Sequence, residues 1–504
     1  MKNILIIFSL LLSIPVLGQE NSYSQSYIQQ TVDEIASDPT FEQAYVGICI
    51  MDTKGRILAG VNADKMMVPA SNMKLITTGA ALHILGPDHA YETTIAYDGH
   101  IVDGILNGNL HIIGNGDPTL ASKDSIAVPI ERTFAIWERL IRDAGIKKIE
   151  GHIIGDGRSY EGPAEEPTWL WNDIGTYYGA GVTGLMFYEN MQSFSVSAGP
   201  AVGTDINIKP HYPECPWMDF RYACTTGQAG TGDRLYMYTS DLAPVAEIRG
   251  TFGVDRAAKR VDCANKFPEY TCAKYFENYL KRKGISCSKG AADFKLTTDW
   301  LSDESCCKTD ELNILGSSMS PSLDRIVYET NHASNNVFAE TLFRTLGKTL
   351  RNSACYDSSY VAINDAFKEL GFASSKGVKI QDGSGLSRQN LISPEALCRF
   401  LHAMICSPAF EPFLYSLPSP GFNGTLEYNM KGQPAELRSR IKVKSGSMNG
   451  VRCYSGYILP SGSEDMLPEG SLIISVMTNN CTSPNWKVRP LLDKLMATLA
   501  KHIN

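Results

Sequence analysis

The sequence predicts an α+β fold: one antiparallel sheet flanked by helices, assembled from both ends of the chain, with β-rich inserted domains between them. Three observations carry this. The N-terminal AYVGICIMDTKGRILAGVNAD reads as strand, turn and strand. The C-terminal RIKVKSGS, GVRCYSGYIL and SLIISVMTN read as three further strands, and helical periodicity flanks both sets. Between them, short β runs alternate with glycines, aromatics and cysteines up to about Leu301. Two ends that share one sheet make the middle an insertion, because the termini of a domain commonly lie close together.

Taken in order, MKNILIIFSLLLSIPVLGQ carries a positive Lys2, an apolar run Ile4 to Leu17 and a small-residue site at Gly18. That is the pattern of a signal peptide over 1–18, too short to span a membrane and removed on export. Ser26 to Ser37 then reads as an amphipathic helix, and Asp52-Thr53-Lys54-Gly55 as the hairpin turn. A helix follows Ser71. The division expected is 19–95 for the first part of the sheet domain, 96–304 for the insertion and 305–504 for the second part. Within the insertion a helix is expected from Ile130 to Gly145. In the second part helices are expected over Ser320–Gly347, Ser359–Leu370, Ser393–Ile405 and Trp486–His502. The last of these, with Leu491, Leu492, Leu495 and Leu499 on one face, is expected to pack on the sheet, leaving membrane contact at most peripheral.

The net charge of −8 comes from interspersed acids and bases, without the clustered Lys and Arg of a nucleic-acid binder. The nine histidines are scattered and no C-x-x-C occurs, so no metal site and no cofactor is expected. Thirteen cysteines in an exported chain suggest disulfides. Cys215 with Cys224 and Cys263 with Cys272 are the expected local pairs, Cys453 and Cys481 are a candidate pair across neighbouring strands, and Cys49 is expected as a buried thiol.

Three short motifs carry chemistry. In VPASNMKLITTGAAL, Ser71 precedes Lys74 by three residues at a helix start, which brings amine and hydroxyl to one face. Taken alone, an N-cap serine with a solvated lysine is the favoured reading. Ser334-Asn335-Asn336 sits inside a helical run, where a polar face or cap is the plain reading. Lys444-Ser445-Gly446-Ser447 lies on an alternating strand whose interior glycine marks a close approach of another backbone or a ligand. Together, in the order Ser-x-x-Lys, Ser-x-Asn, Lys-Ser-Gly, they form the motif set of penicillin-binding proteins and serine β-lactamases.

With LNGNLHIIGNGDPTL, IIGDGRSYEGPAEEPTWLWND, SPSLDRIVYETNHASNNVFAETL, DGSGLSRQNLISP and GFNGTLEYN, the chain resembles the class C low-molecular-mass penicillin-binding proteins, the D-alanyl-D-alanine carboxypeptidase/endopeptidase family. The resemblance implies a transpeptidase domain of the penicillin-binding-protein/serine β-lactamase kind. It also implies a periplasmic serine peptidase acting on peptidoglycan stem peptides, with β-lactams as covalent inhibitors. Ser71 would be the nucleophile and Lys74 its base, with Ser334 relaying a proton and Asn336 holding Lys74 and the substrate amide. Lys444, Ser445 and Ser447 would bind the terminal carboxylate, with Gly446 between them. The backbone N–H groups of Ser71 and Ser447 would form the oxyanion hole. Asp156 and, beside the third motif, Met448 would meet the peptide stem. Two features depart from the family pattern: Ser445 stands where Thr is usual, and GTLEYN lacks a following basic residue, for which Arg438 and Arg440 are the nearby substitutes. A serine β-lactamase and a non-catalytic wall-binding scaffold are the competing readings; no motif for an activator of deacylating water is recognised, and the intact motifs oppose the scaffold.

Overall fold

The computed structural model describes residues 19–296, 312–372, 377–463 and 467–503; the expected signal peptide, Cys306 and Cys307 lie outside them. Strands from both chain ends form one five-stranded antiparallel sheet. Their spatial order is Ile57–Val61, Tyr45–Asp52, Leu472–Asn479, Val451–Ile458, Ile441–Met448. Alternation along each strand divides the side chains between two cores. Ile48, Ile50, Ile474 and Val476 enter one; Cys49, Met51, Ile473 and Met477 enter the other.

Helix α1 (Gln19–Ala36) and the terminal helix Asn485–His502 cover the first face, and Leu492, Leu495 and Leu499 are buried there. Helix α2 (Met73–Leu85) lies in the second core, with every residue from Met73 to Leu82 buried. A helix surrounded on all sides needs no apolar stripe, which explains the mixed pattern behind Ser71.

In the middle segment, helices α3 (Ile130–Asp143) and α4 (Pro268–Arg282) pack with a second five-stranded sheet around Phe134, Trp137 and Phe276. Two three-stranded sheets share another core containing Phe194, Phe252 and Phe267, which also takes in Val337 and Ala354 from the C-terminal part. Glu92–Tyr97 pairs antiparallel with Asn313–Met319, so the chain enters and leaves this segment side by side.

The expected disulfides are not present. Cys215, Cys224, Cys263 and Cys272 are buried free thiols, and Cys453 and Cys481 are also free. Cys263 and Cys272 belong to different cores, so nine-residue spacing does not bring them together. The Cys224 thiol instead donates to Ile248 O at 2.9 Å. Cys453 stands opposite Met477, while Cys481 lies past the strand end and bonds to Gly450 O. These cysteines fill apolar space as small side chains. Cys49 is buried, as expected.

The C-terminal part supplies α5 (Leu323–His332), α6 (Asn336–Arg351), α7 (Tyr356–Glu369) and α8 (Pro394–Met404). The single helical run expected over 320–347 is two helices. Ser334 adopts φ 57°, in the left-handed region that ends a helix, and Asn335 Oδ1 caps α6 by accepting from Phe338 N at 3.1 Å. Ser334 therefore stands at a corner rather than on a helix face.

Candidate active site

Ser71 lies in a single 3₁₀ turn, Ala70–Asn72, that leads directly into α2. Two glycines let other backbone reach this turn. A Cβ at Gly446 would stand 2.6 Å from Pro69 O, and one at Gly385 would stand 1.9 Å from Ala70 O. From below, Asn72 Nδ2 donates to Ser455 Oγ at 2.7 Å. The serine is clamped between the edge strand Ile441–Met448 and the loop 382–387.

Lys74 is fully buried one turn along. Its Nζ stands 2.7 Å from Asn336 Oδ1, 2.7 Å from Ser384 O and 3.2 Å from Ser71 Oγ. Asn336 Nδ2 donates to Tyr178 O at 2.8 Å, which fixes the amide with its oxygen toward the lysine. Burial pulls the Lys74 amine down to about 7, against the opposing charges of Glu340 and Asp382.

Those two carboxyl groups shape the loop that presents Ser384 O. Glu340, one turn beyond Asn336 on α6, accepts from Ser384 N at 2.7 Å and Gly383 N at 3.2 Å. Asp382 accepts from Ser387 N at 2.6 Å, Gly385 N at 2.8 Å and Trp169 Nε1 at 2.9 Å. Burial, reinforced by Asp382, pushes Glu340 up to about 8. Burial thus favours the protonated form of Glu340, and the two carboxyl groups together oppose the effect of burial on Lys74.

Lys444 is the second buried lysine. Its Nζ donates to Ser334 Oγ at 2.9 Å and Ser445 O at 2.8 Å. Burial and the neighbouring Lys74 hold its pKa well below the usual lysine value. Ser445 Oγ donates to Thr425 Oγ1 at 2.9 Å, so a third hydroxyl residue joins the Lys-Ser-Gly strand.

A cavity of about 890 Å³ opens over this cluster. Ser71, Ser334, Asn336, Ser447 and Met448 line it, as do Thr425, Asp173 and Arg388. Asp156 does not. Its carboxylate is buried, and both oxygens are held by the Arg158 guanidinium at 3.0 and 2.7 Å. The expectation that Asp156 faces the cleft is thus corrected: the end of its strand turns the side chain inward. Arg438 and Arg440 also lie away from the cavity, bonded to Pro420 O and Leu459 O.

Sequence reading missed Glu340, Asp382, Thr425, Asp173, Arg388 and the carbonyls of Ser384 and Tyr178. Glu340 had a signal, since a glutamate four residues after Asn336 shares its helical face. The two carbonyls had none, because a backbone acceptor leaves no letter in the sequence.

A family model described as D-Ala-D-Ala carboxypeptidase 3 (S13) matches residues 28–498. The chain belongs to this family. It is a serine peptidase of the D-Ala-D-Ala carboxypeptidase type. A D-alanyl-D-alanine carboxypeptidase of Actinomadura sp. (strain R39) is 26% identical over 497 residues, covering 94% of this chain and 85% of that protein. The D-alanyl-D-alanine carboxypeptidase DacB of Haemophilus influenzae is 22% identical over 424 residues, with 80% of each covered. The crystal structure of penicillin binding protein 4 from Haemophilus influenzae superposes with TM-score 0.76 at 19% identity, covering 95% of this chain and 98% of that one. The S13 fold accounts for the α+β architecture.

Proposed function

We propose that this S13 enzyme is exported to the periplasm and acts on peptidoglycan stem peptides through an acyl-enzyme at Ser71. The reaction releases the terminal D-alanine or opens a D-Ala–diaminopimelate crosslink. The arrangement around Lys74 Nζ carries this reading. A neutral amine has two N–H bonds and one lone pair. Asn336 Oδ1 and Ser384 O can only accept, so they engage the two hydrogens and leave the lone pair toward Ser71 Oγ. An amine held near 7 is neutral often enough to take that proton at physiological pH.

With its proton taken, Ser71 Oγ bonds to the scissile carbonyl carbon. The backbone N–H groups of Ser71 and Ser447 receive the oxyanion, a contribution of ~10²–10³ in rate per donor. The proton taken by Lys74 is relayed by Ser334, which is bonded to Lys444 and gives its own hydrogen to the departing amine as it receives that one, and the C–N bond breaks. Water then hydrolyses the ester. Lys444, Ser445, Ser447 and Thr425 receive the terminal carboxylate, whose charge opposes the effect of burial and of Lys74 on the Lys444 amine. Asp173 and Arg388, of opposite charge on the cavity wall, suit the zwitterionic end of a diaminopimelate side chain, the role expected of Asp156. Met448 lines the same wall.

The test is covalent. Benzylpenicillin should add its whole mass to the peptide containing Ser71, and Ser71→Ala should take no label. Digested sacculi should lose terminal D-alanine or crosslinks. Label on another serine contradicts the assignment, and an acyl-enzyme that turns over rapidly would mark a β-lactamase instead.

A further inference from the structure

Beside the cavity lies a second hollow of about 870 Å³. Tyr328 and Tyr415 stand in its wall, with ring centroids 5.4 Å apart and planes tilted by 32°. Tyr415 is 69% exposed. Tyr328 is held in place: the His332 ring stacks on it at 3.9 Å, and Asn423 Nδ2 donates to its hydroxyl at 3.2 Å. Tyr328 is thus held at little further ordering cost, and Tyr415 beside it offers the exposed ring face. Around them stand Asp324, Glu329 and Glu411 together with Arg325 and Lys442. Mixed charges at this spacing select neither a polyanion nor a polycation. They supply a dense set of donors and acceptors around an aromatic surface. The ligand with matching chemistry is neutral, rich in hydroxyls and amides, and apolar on one face: a sugar ring.

The hollow adjoins the acylation cavity. Asp124 lines the cavity, and the next residues, Ser125 and Ile126, line the hollow. Helix α5 carries Tyr328 and Glu329 and leads directly to Ser334. Asn423, which holds Tyr328, is two residues from Thr425 in the cavity wall.

We propose that this hollow binds N-acetylated hexose units of the glycan strand to which a stem peptide is attached. The inference rests on the peptidoglycan reading above and adds a second contact to it. Holding the strand raises the effective concentration of its peptides at Ser71.

The test uses the mature enzyme and a variant, Tyr415→Ala, outside the Ser71 cluster. An N-acetylglucosamine tetramer and peptide-free glycan strands are titrated by calorimetry. The native protein should bind both saturably, Tyr415→Phe should retain binding, and Tyr415→Ala should weaken it about tenfold through the lost ring face. In parallel, KM for glycan-linked pentapeptide should rise in Tyr415→Ala while kcat and the kinetics of free pentapeptide stay unchanged. Absence of glycan binding by the native protein, or equal affinity in Tyr415→Ala, overturns the proposal. So does a stem peptide alone occupying the hollow in a Tyr415-dependent manner. Glycan binding by a protein without peptidase activity would refute the Ser71 reading and leave the sugar site standing.

Discussion

Two lysines are buried within one site, Lys74 on α2 and Lys444 on the edge strand, and their surroundings differ in one respect. Behind Lys74 stand Glu340 and Asp382, which hold its amine near 7 against the effect of burial. Lys444 has hydroxyl and carbonyl partners and a neighbouring amine, and its pKa is held well below the usual range. The contrast separates a base from a receptor. Lys74 has a counter-charge built into the protein and titrates near working pH, as a general base should. Lys444 lacks one, so a substrate carboxylate supplies it, and binding and protonation at Lys444 are coupled.

The comparison is broken most severely at Lys74. Lys74→Ala should lower the acylation rate by ~10²–10⁴ with the fold retained, measured as penicillin labelling alongside a thermal melt. Lys444→Ala should cost about 10–100-fold on substrates that carry the terminal carboxylate, the usual worth of a charge-assisted bond. A thioester without that carboxylate should lose only a few-fold; equal losses on both would erase the division of labour. Asp382→Asn removes one of the two carboxyl groups that oppose burial at Lys74, so the amine pKa should fall and the acid limb of the acylation profile should move to lower pH. Glu340→Gln should have the smallest effect. Burial pushes its carboxyl toward the protonated form, and the amide gives up only the longer bond from Gly383 N, at 3.2 Å. An acid limb that moves more in Glu340→Gln than in Asp382→Asn would show that Glu340 holds the charge.

The sheet was legible because SLIISVMTN and GVRCYSGYIL are strands whose alternation records their two faces. Helix α2 was legible only through Ser71 and Lys74, since a helix buried all round has no stripe. The lysines, serines and Asn336 could be read because the chemistry needs those side chains in that order, and Gly446 because a strand-interior glycine implies a close approach. The loop 382–387 could not be read as the lysine's support: it works through a carbonyl and through N–H groups folded onto carboxylates. Asp156 misled because its role was carried over from the family resemblance, whereas Arg158 two residues later captures its carboxylate. The cysteines misled because sequence spacing is blind to which core a side chain enters, as Cys263 and Cys272 illustrate.

The pH dependence of benzylpenicillin acylation in single turnover tests the central claim most directly. The neutral Lys74 amine is the base, so the rate should fall about tenfold per unit below its pKa and level off above it. The inflection should lie near 7, where burial, opposed by Glu340 and Asp382, places it. A rate independent of pH from about 5.5 to 8.5, or one that rises only toward the ordinary lysine pKa of about 10.4, would contradict the account.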